Sequence, residues 1–149
     1  MAVGIIAEFN PFHNGHKFIL ETAKSITNER IVAIMSGAFV QRGGTAVTDK
    51  LTRARMALSN GADLVIELPV TFSHNTAQKF AMGAVGTLKA TGIIDTLAFG
   101  SESGDIFSIQ KAADILSDEP AEVSEKIKEL MSDGISYPVA RQTAYEGYF

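Results

Sequence analysis

Cysteine is missing from the 149 residues, and histidine occurs only three times. Without thiols there can be no disulfide, no zinc–thiolate centre and no thiol nucleophile. No apolar run approaches the roughly 20 residues of a membrane-spanning helix. The N-terminal stretch has neither a basic segment nor a small-residue cleavage pattern, which argues against a secretory signal. The cytoplasm is therefore the expected compartment. Positive charge is not in excess either: the net charge is −4, the opposite of the basic footprint left by a chain built to grip nucleic acid. Lys50, Arg53 and Arg55, with Arg42 upstream, form a local basic group that reads equally as a patch or as a solvated helix face. Linkers, repeats and low-complexity tracts are absent. What remains is 46% hydrophobic and 20% charged, a globular composition at a size typical of one domain.

Short apolar runs alternate with helical spacing. Residues 3–7 read as a buried parallel strand. Pro11 ends pairing, and a helix is expected from about Asn14, a good N-cap type, through Phe18, Ile19, Thr22, Ala23 and Ile26. Further strands are expected at 31–35, 64–68 and 96–99, and helices at 49–60, 74–91, 105–116 and 120–132, with a last one after Tyr137-Pro138. The alternation implies an α/β fold, a doubly wound parallel sheet with extra C-terminal helices. Ligands in such folds bind beyond the carboxyl ends of the strands, where strand order reverses. The polar segments 8–16, 36–44, 67–74 and 100–104 all follow strands, so one site built from these loops is expected. Residues 140–149 have just begun a helix-like pattern when the chain stops, and a longer parent chain is expected.

The chemistry concentrates in His13-Asn14-Gly15-His16, between the first strand and the first helix. Free N–H groups and the dipole of a helix start attract anions. Gly15 lets a phosphate or base approach the backbone. Two imidazoles three residues apart can donate to the same polyphosphate, meeting charge as pyrophosphate leaves. Ligation of a metal by both rings is the weaker alternative, because no third histidine or cysteine lies nearby.

Glu8-Phe-Asn-Pro-Phe-His-Asn-Gly-His16 resembles the His-x-Gly-His signature of the nucleotidyltransferase superfamily, related to class I aminoacyl-tRNA synthetases. Met35-Ser-Gly-Ala-Phe-Val-Gln-Arg-Gly43, Lys50, Arg53, Met56-Ala-Leu58, Gly61-Ala-Asp-Leu-Val-Ile-Glu-Leu-Pro69 and Phe99-Gly-Ser-Glu102 extend the likeness across the chain. Together they resemble the tRNA(Met) cytidine acetate ligase family. The resemblance implies a Rossmann-like fold of the nucleotidyltransferase type and a two-step reaction. ATP and acetate form acetyl-adenylate, and the acetyl group passes to N4 of the wobble cytidine of elongator tRNA(Met). It also implies an ATP site made of Ala7, Glu8, Phe9, Asn10, Pro11, Phe12, His13, Asn14, Gly15, His16, Lys17, Phe18, Ile19 and Leu20, with Gly100 and Ser101 beside the adenosine. His13, His16 and Lys50 are the expected catalytic residues, with Arg53 a further candidate for phosphate or tRNA contact. Magnesium is expected to accompany ATP, with no ligand set identifiable, and the oligomeric state stays open. Family members are much longer than this chain, and no Ser/Thr-rich segment with Arg or Lys follows Phe99, so weak ATP binding and poor acetylation are expected of this piece alone.

Other residues carry two readings. Glu8 could steer a metal or the attacking carboxylate, or bond backbone N–H groups at a strand end. Asn10 is expected to shape its loop. Ser36 and Gly37 could touch the acyl substrate or form a plain turn, and Gln41 and Arg42 lie in a long polar loop. Glu67 faces the expected cleft, and His74 is expected near a helix start. Ser101 and Glu102 could instead cap the helix near Asp105. Phe9, Phe12, Phe39 and Phe99 could wall a pocket, although core packing is the commoner fate of such rings. Two other functions compete: a metabolite adenylyltransferase acting on a phosphorylated coenzyme precursor, and a non-catalytic nucleotide- or RNA-binding module.

Overall fold

The computed structural model describes residues 1–147. Tyr148 and Phe149, the end of the pattern expected over 140–149, lie outside the described residues. The chain forms two compact units, residues 1–100 and residues from 101 onward.

The first unit is built on four parallel strands: β1 (Ala2–Ile6), β2 (Arg30–Ser36), β3 (Leu64–Leu68) and β4 (Ile94–Ala98). Their order in the sheet is β3-β2-β1-β4. The chain runs outward from β1 to β3 and then crosses back to lay β4 on the other side of β1. Strand order therefore reverses between β1 and β4, and the turn carrying His13 and His16 leaves the sheet at that reversal. β1 and β2 are buried nearly end to end, which is why both read as unbroken apolar runs.

Helices cover both faces. On one, α1 (Asn14–Thr27) and α2 (Lys50–Ser59) close over Val3, Ile5, Ile31, Ala33 and Met35 with Leu20, Ala23 and Ala57. On the other, α4 (Ala77–Ala90) lays Ala84 and Leu88 against Ala2, Val32, Ile34 and Leu68. Fully burying an aliphatic side chain such as Leu20 or Leu88 contributes about 1.5–3 kcal/mol. A Cβ on Gly4 would sit 2.9 Å from the Leu88 side chain, so glycine there lets α4 lie close on β1.

The doubly wound α/β reading holds, with local corrections. The helix expected over 74–91 is α4, which begins three residues later at Ala77, and a short α3 (Val70–Ser73) that was not expected precedes it. Thr76 accepts from the Lys79 amide and starts α4, while His74 closes α3. β4 begins two residues earlier than expected, and β1 ends at Ile6, although the Ala7 amide still donates to Ile34 O at 3.1 Å.

The second unit holds the extra helices α5 (Ile106–Ser117), α6 (Ala121–Ser132) and α7 (Tyr137–Glu146). Val123, Ile127, Ala140, Ala144 and Tyr145 form its own small core, joined by Ile115, Leu130 and Ile135. Asp105 caps α5, accepting from the amides of Phe107 and Ser108 at 3.0 and 3.3 Å. No helix among the described residues is long and apolar enough to cross a membrane.

Candidate active site

The turn after β1 is held by an aromatic knot. Phe9 has no exposed surface and a positive φ of 48°, a conformation that costs a bulky residue about 1–3 kcal/mol. Burial of its ring in the α1–α2 core offsets that cost. The ring meets Phe12 at 5.4 Å and the edge of His16 at 5.0 Å, and Phe12 lies 5.6 Å from His16. The Asn10–Pro11 peptide is cis. Phe9 is therefore a core residue that shapes the turn, not a pocket wall.

The helix start differs from the sequence expectation in one instructive way. His13, not Asn14, is the N-cap of α1. Its Nδ1 accepts from the Gly15 amide at 3.1 Å, and Nδ1 of His16 accepts from the His13 amide at 3.3 Å. The two histidines thus form a reciprocal capping box of the kind Ser/Thr and Glu usually make. Two N–H groups expected to greet an anion are already taken by imidazole.

The same bonds define what the rings offer instead. A ring nitrogen that accepts a hydrogen bond carries no proton, so each neutral imidazole bears its hydrogen on Nε2. The rings stack at 3.7 Å between centroids and 24° between planes. A Cβ at Gly15 would lie 3.0 Å from Cε1 of His13, so glycine there makes room for the capping ring as much as for a ligand. His13 is exposed and His16 half-buried. Burial, and then the neighbouring His13, lowers the His16 pKa from the ordinary 6.5. Near neutral pH His16 is thus an uncharged donor through Nε2.

Loop 36–49 braces this turn from the side. The Gln41 amide donates to Glu8 Oε1 at 2.7 Å, and the Val47 amide donates to Asn10 Oδ1 at 2.8 Å. The Gln41 side chain donates in turn to Asn75 O at 2.7 Å, and His74 meets Phe39 edge-on at 6.0 Å. Glu8 thus bonds backbone, one of its two sequence readings, and Asn10 shapes its loop.

Arg53 overturns an expectation. Expected to contact phosphate or tRNA, it has no exposed surface at all. Its Nε and Nη1 donate to Thr48 O at 3.3 Å and Glu8 O at 2.8 Å, and Nη2 donates to Gly37 O. Burial pushes its pKa down, and the carboxylates of Glu8, Asp49 and Glu67 oppose that shift. The guanidinium is a three-way strut between the β1 turn, the β2 loop and the start of α2.

The model of the HIGH nucleotidyl transferase family matches residues 1–148. The chain belongs to that family. It is 48% identical over 147 residues to a tRNA(Met) cytidine acetate ligase of Clostridium novyi, covering 98% of this chain and 37% of the relative. It is 50% identical over 142 residues to the corresponding ligase of Clostridium tetani, covering 95% and 35%. A crystal structure of Thermotoga maritima TmcAL bound with alpha-thio ATP superimposes with a TM-score of 0.92 at 45% identity, covering 99% of this chain and 36% of that one. The chain therefore spans a little over a third of the length of the relatives it matches.

Within this nucleotidyl transferase fold, the expected site residues fall into groups. Ala7, Glu8, Asn10, Pro11, Phe12, His13, Asn14, Gly15 and His16 form one continuous turn, with Phe9 beneath it. In α1, Lys17 pairs with Glu21 at 3.7 Å, Phe18 is exposed, Ile19 is half-buried and Leu20 is in the core. Gly100 follows β4, and because Ile5 pairs with Ala98 it leaves the sheet on the same edge as the His13 turn. Ser101 belongs to the second unit, where its hydroxyl lies 3.1 Å from Ser103 Oγ and accepts from Gly104 N. Lys50 opens α2 and pairs with Glu67 at 2.6 Å. Among the described residues no group of three or more His, Asp or Glu side chains converges to hold a metal.

Sequence reasoning missed Arg53 as a strut and Glu67 as the partner of Lys50. A signal for the first was there: Arg53 lies four residues before buried Ala57, on the inward stripe of α2.

Proposed function

We propose that this chain is the ATP-binding, acetate-activating part of a tRNA(Met) cytidine acetate ligase, and that residues 1–149 belong to a longer chain working in the cytoplasm. The observation that carries the proposal is the pair of stacked imidazoles, each with Nδ1 turned to the helix and Nε2–H left for a ligand. They stand at the strand-order reversal of a fold that matches a relative crystallised with an ATP analogue.

In the first step a carboxylate oxygen of acetate attacks the α-phosphorus of ATP, and the bond to the pyrophosphate oxygen breaks. Charge grows on the departing oxygens. His13 and His16 donate to the phosphates through Nε2–H, already in place before the charge develops. Lys50, at the next loop of the same edge, supplies a positive charge toward the anionic reactants. In the second step N4 of the wobble cytidine attacks the acetyl carbonyl carbon, AMP leaves with the bonding pair, and N4 gives up a proton. The stretch from Ala7 to Leu20, with Phe9 and Leu20 packed beneath it in the core, cradles the nucleotide, and Gly100 borders the adenosine. Magnesium would arrive with ATP, because among the described residues no three His, Asp or Glu side chains converge to hold it. The net charge of −4 fits a segment that leaves most tRNA contacts to the rest of the chain.

The test is acetate-dependent exchange of labelled pyrophosphate into ATP by the full-length ligase carrying this chain. His16→Ala should cut exchange by about 100-fold or more. Exchange that requires a phosphomonoester in place of acetate would identify a metabolite adenylyltransferase. Binding of tRNA with no calorimetric response to ATP would identify a non-catalytic module. Residues 1–149 alone should bind ATP weakly and acetylate tRNA poorly or not at all; efficient acetylation by them would overturn this division of labour.

A further inference from the structure

Lys50 would be an ill-placed cation if nothing held it. It occupies the first position of α2, after the Asp49 cap, where the helix dipole disfavours positive charge. Its side chain is long and about half exposed, so on its own it would sample many rotamers. The structure gives it one mate: Glu67 Oε2 accepts from Nζ at 2.6 Å. Glu67 is the fourth residue of β3, one before its carboxyl end, and pairs in register with Met35.

The room for that carboxylate comes from Gly37. A Cβ built on Gly37 would overlap Oε1 of Glu67, and the next two nearest atoms are also Glu67's. Gly37 is not in the left-handed region, so its backbone does not demand glycine. What the position demands is the absence of a side chain. Gly37 itself is anchored by Arg53, whose Nη2 donates to its carbonyl. The ammonium, the carboxylate and the empty place above Gly37 thus form one arrangement, fastened to the strut that also holds Glu8.

An exposed ion pair adds little to stability, so this arrangement has another use. We infer that Glu67 is a positioning residue: it holds the Lys50 ammonium in one place at the substrate edge of the sheet, in space reserved by Gly37. The inference rests on the proposed role of Lys50 and adds two residues to it. Glu67 acts through Lys50 and contributes no chemistry of its own.

The experiment uses the full-length ligase and three readouts: acetate-dependent pyrophosphate exchange, ATP affinity by calorimetry, and melting temperature. Glu67→Gln should lower kcat for exchange about tenfold, since small misplacements of a catalytic group are costly. ATP affinity and melting temperature should stay near their original values. Gly37→Ala should give the same loss by pushing the carboxylate aside. In a Glu67→Ala background the three atoms nearest the added methyl are gone, so Gly37→Ala should then cost no more. With Lys50→Ala already present, Glu67→Gln should have no further effect. Additive losses, or a silent Glu67→Gln beside a crippling Lys50→Ala, would overturn the positioning role alone. A silent Lys50→Ala would instead remove the role of Lys50 on which it rests.

Discussion

Replacing Arg53 by lysine separates what a guanidinium does from what a charge does. The planar fork reaches three carbonyls in different directions: Thr48 O, Glu8 O and Gly37 O. An ammonium at the end of a lysine can satisfy one of them. Two charge-assisted bonds are then lost at about 1.5 kcal/mol each, roughly 3 kcal/mol together. The site is fully buried, so water cannot easily replace the missing donors. For a chain of this size the loss corresponds to a fall in melting temperature of about 10 °C, readable by differential scanning calorimetry. Because the strut ends on Glu8, the nucleotide turn should loosen too, with ATP affinity about tenfold weaker. If Arg53→Lys melted within about 2 °C of the original and bound ATP equally well, the strut argument would be wrong and the three bonds would be incidental.

Acidity should act on the same turn through His16. Its pKa lies below 6.5 because burial, and then His13, disfavour the cation. The unfolded chain therefore takes up this proton first as pH falls. The stability it contributes is complete above about pH 6.5 and is lost as pH drops through the lower folded value. Melting temperature followed from about pH 8 down to about pH 5 should fall, and His16→Gln should flatten that slope; an unchanged slope would exclude His16 as its source. Asn10→Ala removes the acceptor for the Val47 amide and should cost about 1 kcal/mol, with faster limited proteolysis in loop 36–49. Gly83→Ala would press a methyl onto the ring of Phe72 and should lower the urea midpoint by an equivalent of about 1–3 kcal/mol. Adding Phe72→Ala should recover part of that loss.

The strand–helix alternation was legible because buried parallel strands appear as short continuous apolar runs, and β3 was read to the residue. The strands' outer limits were less so: Ile94 and Ala2 pair in the sheet, yet local composition gives no reason to start strands there. The helix over 74–91 is legible except at its start, because His74 and Asn75 look helix-compatible in isolation whereas Thr76 is the cap of α4. The His13 turn was recognised, but its polarity was not. Histidine is an uncommon N-cap, and only the fold shows that both Nδ1 atoms face the backbone. Arg53 misled for a related reason. Beside Lys50 and Arg55 it reads as surface charge, and its burial follows from three carbonyls supplied by loops as many as 45 positions away in the chain.

Those separations have a bearing on how the protein is made. Gln41, Val47 and Arg53, which hold Glu8 and Asn10, are made 33, 37 and 45 positions after the residues they brace. Chains order from the N-terminus as they are synthesised, yet this stretch cannot settle at once. The turn that carries His13 and His16 thus waits for braces supplied by residues as far along the chain as Arg53.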